Sequence, residues 1–187
     1  MNDFKGLYPG QTAWIVGKGP SLLHLRKEHL GEGPVITINE SILIVQELGL
    51  SNSIYSMQKD GEYGIGHAVH PRMYIPVILQ RPGYSENDLP LHPLRTWVAP
   101  EDYGFHHAEM SIRLCVAIAK EMECGRITFV CCDSLVNGDV RRVDAQDRRI
   151  VRANSGSYVY VKPLVLKDVE DIPHEFVLPE ETPCPTF

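Results

Sequence analysis

Apolar positions along this chain alternate between strand-like runs and helix-like spacing. Thr12-Ala13-Trp14-Ile15-Val16 is a short run rich in β-branched and aromatic side chains. It stops at Gly17-Lys18-Gly19-Pro20-Ser21, and Leu22-Leu23-His24-Leu25 follows. That order predicts a strand, a tight turn and a helix start, with Pro20 suited to the first helical turn. Residues 34–38 predict a second strand ending at Asn39-Glu40. Ser41 to Leu48, apolar at 42, 43, 45 and 48, predicts a helix that stops at Gly49. Ile54 to Met57 predicts a third strand, ending at Gln58-Lys59-Asp60-Gly61. Met73 to Leu79 predicts another, which Pro76 pushes toward an edge. Residues 81–95, with three prolines, read as a loop, and Thr96-Trp97-Val98 as a short strand. His107 to Glu123 carries the clearest helical spacing, with Gly125 beyond its end. Ile127 to Cys132 is a continuous apolar strand of the kind buried in parallel sheets, and it ends at Asp133. Past Asn137 the chain turns polar. Residues 158–161 specify neither strand nor helix, and the proline-bearing tail reads as extended. Strands alternating with helices predict an α/β domain built on a doubly wound, mostly parallel sheet.

In such sheets a ligand sits beyond the carboxyl ends of the strands. Those ends carry Gly17, Lys18, Gly19, Pro20 and Ser21, then Asn39 and Glu40, then Gln58 and Asp60, then Asp133, Ser134 and Asn137. Glycines let main chain approach an anion, and the first N–H groups of a helix point at it, so the turn at 17–21 is a candidate phosphate cradle. The spacing matches neither a P-loop nor a dinucleotide fingerprint, because Thr12 and Leu22 stand where those motifs need glycine. A plain strand-to-helix turn is the alternative, as is helix capping by Ser21 or Asp133. Asp60 and Asp133 are candidate Mg²⁺ ligands, being hard oxygen donors at strand ends. Arg141, Arg142, Arg148, Arg149 and Arg152 form a cluster suited to phosphate, partly neutralised by Asp139, Asp144 and Asp147. His106 and His107, before the long helix, are candidates for a general base, and Ser111 lies one turn further on. His67-x-x-His70 with His106-His107 does not make a zinc site, since no cysteine stands at ligand spacing.

Composition narrows the classes. The 187 residues suit one domain with its own core, and 43% hydrophobic with 22% charged residues is ordinary for a globule. No apolar run reaches membrane-span length and no leader pattern is visible. A net charge of −6 argues against general nucleic-acid binding. Five cysteines without a C-x-x-C fall mostly in apolar stretches, which predicts buried thiols and a cytoplasmic location.

From Thr12 to about residue 139 the chain resembles a Rossmann-like superfamily. It holds 6-hydroxymethylpterin pyrophosphokinases of the MptE type, motility accessory factors and the family 42 bacterial sialyltransferases. Ile15-Val16-Gly17-Lys18-Gly19-Pro20-Ser21 is similar to their Ile-x-Gly-Asn-Gly-Pro-Ser turn, and Ile38-Asn39 to their second-strand Asn. Met110 to Asp133 resembles their long helix and following strand, continued by an Asn137-Gly138 turn. Lys18 departs from the usual Asn or Ala, and Cys131 from a Gly. The later tyrosines are Tyr158 and Tyr160, and the only later histidine is His174.

The resemblance implies a nucleotide-binding core over 1–139, with 140–187 as a C-terminal extension packed on the same domain. It implies a nucleotide or nucleotide sugar as ligand, with Mg²⁺ as an accompanying ion, and a transferase that moves a glycosyl group from a nucleotide sugar. An ATP-dependent pyrophosphokinase-like transferase is the alternative. A non-catalytic, nucleotide-sequestering module of phage or bacterial origin is another. Catalytic roles fall to His106, His107 and Asp133, and phosphate or nucleotide contacts to Gly17–Ser21, Asn39, Glu40, Gln58, Asp60, Ser111, Ser134, Asn137 and Arg141. Homo-oligomerisation stays open.

Overall fold

The computed structural model describes residues 4–58, 77–80, 95–105, 110–152 and 158–180. Its framework is a parallel sheet of seven strands: β1 Thr12–Val16, β2 Val35–Ile38, β3 Ile54–Gln58, β4 Val77–Gln80, β5 Arg95–Val98, β6 Arg126–Val130 and, after a hairpin, β9 His174–Val177. They lie in the order β5-β4-β3-β2-β1-β6-β9, and every neighbouring pair is parallel. From β1 the chain builds outward to β5, then crosses back to lay β6 on the other side of β1. The winding direction reverses between β1 and β6, so the carboxyl ends of these two strands diverge into a crevice.

Side chains that alternate along the strands feed cores on both faces. Ala13, Ile15, Ile36, Met57, Ile127 and Phe129 pack on one face, under α2 Ser111–Glu121 and α4 Tyr158–Asp168. Val16, Val35 and Val130 serve the other, with Leu22, Leu25 and α1 Ser41–Val45. α2 presents Leu114, Cys115, Ile118 and Ala119 at helical spacing, continued by Met122 at its C-cap. α4 contributes Val161 and Val165 to the same core, joined by Val169 just past its end. Arg113 forks onto Asp168 at 2.5 and 2.8 Å and lies over the Phe105 ring, fastening α2 to α4.

Several local expectations change. The segment after the first turn is not an α-helix but two 3-10 turns, Pro20–His24 and Lys27–His29. Leu22 and Leu25 are three apart and both buried, a spacing that 3-10 geometry stacks on one side. β4 is interior, with β3 and β5 on either side. Pro76, expected to push this strand toward an edge, lies outside the described residues. The long helix starts at Ser111, four residues later than its pattern suggested, and ends before Glu123, which takes a left-handed φ of 61°. Residues 158–168 settle as helix despite Pro163, and part of the tail becomes β9, bonded to β6. Gly49 terminates the helical segment at a φ of 62°, as its position after Leu48 indicated.

Within residues 140–187, β7 Arg141–Asp144 and β8 Arg149–Arg152 form an antiparallel hairpin. It is anchored to the first turn by the Val143 N–H, which donates to the Lys18 carbonyl at 2.7 Å, and by burial of Val143. Among the described residues no helix is long and apolar enough to cross a membrane.

Candidate functional site

A cavity of about 290 Å³ opens at the carboxyl ends of β1 and β6. Its floor is Gly17, Lys18 and Gly19 with Cys131 and Cys132. Asn39 and Ser111 stand on one side, and Ser134, Arg141 and Arg142 on the other. This is the switch point of the sheet, where main-chain ends diverge and leave room. The hairpin and α4 supply Val140, Arg141, Arg142 and Val161, so the C-terminal segment helps to wall it. Size and position are those of a small-molecule site, at the lower end of the usual range.

The turn at 17–21 reaches this cavity, but most of its amides are already committed. Gly17 N–H donates to the Val130 carbonyl at 2.8 Å, and Gly19 N–H to Cys131 at 2.9 Å. Ser21 N–H and hydroxyl both donate to the Asp133 carboxylate, at 3.2 and 2.6 Å. The expected cradle is therefore filled from within: a buried carboxylate sits where a ligand phosphate was expected to sit. Pro20 and Ser21 do not line the cavity. The glycines serve the same internal fit. A Cβ on Gly19 would stand 2.5 Å from the Asp133 Cγ and nearer still to Oδ2. One on Gly17 would stand 2.6 Å from the Cys131 carbonyl oxygen.

Asp133 is thus a positioning group that ties the end of β6 and α3 Asp133–Val136 to the first turn. Each of its oxygens accepts one hydrogen bond from Ser21, and no group of three His, Cys, Asp or Glu side chains gathers among the described residues. Asp60, His106 and His107 lie outside the described residues. Asn137 accepts the Asp139 N–H at 2.9 Å, shaping a turn away from the cavity wall.

Two non-glycine residues of the cavity lining hold left-handed backbone, Asn39 at φ 50° and Cys131 at φ 57°. For cysteine this conformation costs roughly 1–2 kcal/mol. It is held by Cys131 N–H donating to Val177 of β9 at 3.1 Å, and by its carbonyl accepting Gly19. Gln58 is fully buried one strand further on. Its Nε2 donates to the Asn39 carbonyl at 3.1 Å and to Ser56 Oγ at 2.6 Å, while Oε1 has no partner among the described residues. An orphan acceptor calls for a donor, and Gln58 does not line the cavity. Glu40 does not line it either. It pairs through Oε2 with Lys18 Nζ and faces Arg142 Nη1 at 3.9 Å through Oε1. Arg141 is bound by Asp139, and that ion pair holds the Asp139 carboxyl below its ordinary range.

Sequence reasoning placed Gly17, Lys18, Gly19, Asn39, Ser111, Ser134 and Arg141 at one site, and they do meet there. It missed Cys132 and the α4 residue Val161, for which no local pattern gives a signal. Arg142 was visible only as a member of the arginine cluster.

Burial pushes the Cys132 thiol up to about 12, and the Asp133 charge adds to it. Burial alone pushes Cys124 to about 11 and is the main cause of the upward shifts of Cys131 and Cys115. In the unfolded chain these thiols ionise near 8.5. The native state therefore holds protons that the unfolded state has released, and stability falls as pH rises from about 8.5 toward 11. Each fully shifted thiol contributes a slope of up to about 1.4 kcal/mol per pH unit. Urea unfolding at pH 8, 9 and 10 should show a falling midpoint, with less fall in Cys132→Ala. Equal pH dependence in the two chains would remove Cys132 from this account.

Fold and site together define a doubly wound parallel α/β protein with a ligand-sized cavity at its switch point. No protein-family model, curated protein or solved structure matches the chain.

Proposed function

We propose that the chain binds a nucleotide-type ligand by its phosphates in the cavity between β1 and β6, and that it is a transferase using that nucleotide as donor. The observation carrying this reading is the convergence of Lys18, Arg141 and Arg142 on the switch-point cavity. Guanidinium and ammonium groups at a partly enclosed site favour an anion and, in a transfer reaction, the charge growing on a leaving phosphate. Side chains, not the amides of the first turn, carry this task.

Glycosyl transfer from a nucleotide sugar needs cations at the leaving phosphate and a base for the acceptor hydroxyl. The lining supplies the first. His106 and His107, shortly before Met110 in sequence, are the proposed source of the second. Pyrophosphoryl transfer from ATP draws on Mg²⁺ held mainly by carboxylates, which the described lining does not carry, so it ranks second. A binding module without turnover is favoured by a different observation: the described lining carries hydroxyls and cations but neither carboxylate nor imidazole.

Thermal-shift measurements against CMP, UDP, GDP, ADP and ATP test the binding step. At a hundredfold excess over Kd a ligand adds about 2.7 kcal/mol, on the order of 5–10 °C for a chain of this size. Arg142→Ala should weaken binding by roughly tenfold or more, the loss of one charge-assisted contact. No shift with any of the five would overturn the proposal. Where a nucleotide binds, product formation from the matched sugar donor, lost in His106→Ala or His107→Ala, separates transferase from binding module.

A further inference from the structure

Glu40 stands in an unusual place for a protein whose ligand is an anion. It lies two residues past the end of β2, and its side chain is only 13% exposed. One oxygen takes Lys18 and the other faces Arg142, two of the three cations that line the cavity. Glu40 itself is not part of the lining. A single carboxylate thus holds two cavity cations from behind, and the third, Arg141, is held by Asp139.

Counting formal charge, Lys18, Arg142 and Glu40 sum to +1, while Arg141 and Asp139 cancel. An incoming phosphate meets cations already drawn toward an internal anion. It gains less Coulomb energy than two free cations would give, and it feels direct repulsion from the carboxylate. At partial burial these terms are not erased by solvent, as they would be on an open surface.

We propose that Glu40 is a built-in counter-anion: it competes with the ligand phosphate for Lys18 and Arg142 and so sets the affinity of the cavity for phosphate groups. This rests on the reading that the cavity takes phosphates, and it identifies the residue that limits how tightly. The ligand exchanges one anionic partner of Lys18 and Arg142 for another, so the site favours a group with enough negative charge to displace a carboxylate. Inorganic pyrophosphate should therefore bind better than inorganic phosphate.

The test is calorimetric titration of the full chain at low ionic strength with inorganic pyrophosphate and with ADP. Wild type is compared with Glu40→Gln and Glu47→Gln. Glu47 pairs with Arg148 on an exposed surface, so its variant makes the same change in net charge without touching the cavity cations. Glu40→Gln is expected to tighten both probes by about tenfold, equivalent to about 1.4 kcal/mol, with Glu47→Gln unchanged. Binding to Glu40→Gln alone would also support the proposal. Unchanged or weaker binding in Glu40→Gln would overturn it and leave the phosphate reading standing, and equal tightening in both variants would overturn it as a general charge effect. Absence of binding in all three chains would overturn this proposal together with the phosphate reading. Should Glu40→Gln fold poorly, Glu40→Ala makes the same charge change and is held to the same outcomes.

Discussion

Replacing Gly19 by alanine lowers the unfolding free energy by about 3 kcal/mol, at the upper end for overpacking a closed site. The added methyl would enter the Asp133 carboxyl group, whose Cγ lies 2.5 Å from the ideal Cβ position. That carboxyl cannot swing aside cheaply, because Ser21 holds both oxygens and Asp133 is buried. Asp133→Ala by itself should cost about 2 kcal/mol, the worth of a hydrogen-bonded charge whose partners are left unpaired. The two losses do not add. In Gly19→Ala/Asp133→Ala the collision is gone, and the double variant should be more stable than the sum of the singles by 1 kcal/mol or more. Urea unfolding of the four chains gives this coupling directly. Additive losses would show that Gly19 is required for some reason other than room for Asp133. Because Gly19 is tied to folding in this way, loss of ligand binding in a Gly19 variant says nothing about phosphate contact.

Phe129→Ala should cost about 4 kcal/mol, in the range for removing a large buried aromatic. Among the described residues Phe129 is the bulkiest fully buried side chain, and it occupies β6, beside β1 at the switch point. Its ring stacks on Phe176 of β9 with centroids 4.9 Å apart, and the two residues are register partners. The loss therefore falls on the core and on the pairing of β9. Pairing with β9 also steadies the site, since the Val177 carbonyl accepts the N–H of strained Cys131. Phe176→Ala removes the same stack from a half-buried position and should cost less, about 2 kcal/mol. With total stabilities of 5–15 kcal/mol typical, Phe129→Ala should remove between about a quarter and four-fifths of the total. A loss under 1.5 kcal/mol in Phe129→Ala, measured by denaturant midpoint and slope, would mean that β9 is not packed on β6 as described.

The strands β1, β2, β3 and β6 were legible from apolar runs bounded by glycine, proline and polar residues. Burial on both faces of a parallel sheet leaves a continuous run of this kind. α1 and α2 were legible from helical spacing. β9 was not, because His174-Glu175-Phe176-Val177 lies at the sheet's edge and has little apolar run of its own. α4 was not, because Tyr158 to Leu166 is apolar on most sides and has no clear stripe. At the site, the glycine turn was found for a reason that proved different. Glycines that admit a ligand and glycines that admit an internal carboxylate look alike in sequence, and Asp133 lies 112 residues from Ser21.

By itself the amino-acid sequence determined the alternation of strands and helices, the parallel α/β class, and the strand ends on which polar residues gather. These are local properties, set by side-chain period and turn chemistry. Tertiary structure alone decided that the first turn is capped by Asp133, that Glu40 spans Lys18 and Arg142, and that residues from the last third of the chain wall the cavity. Each depends on groups far apart in sequence brought within hydrogen-bonding or ionic reach, and no periodicity encodes such pairings.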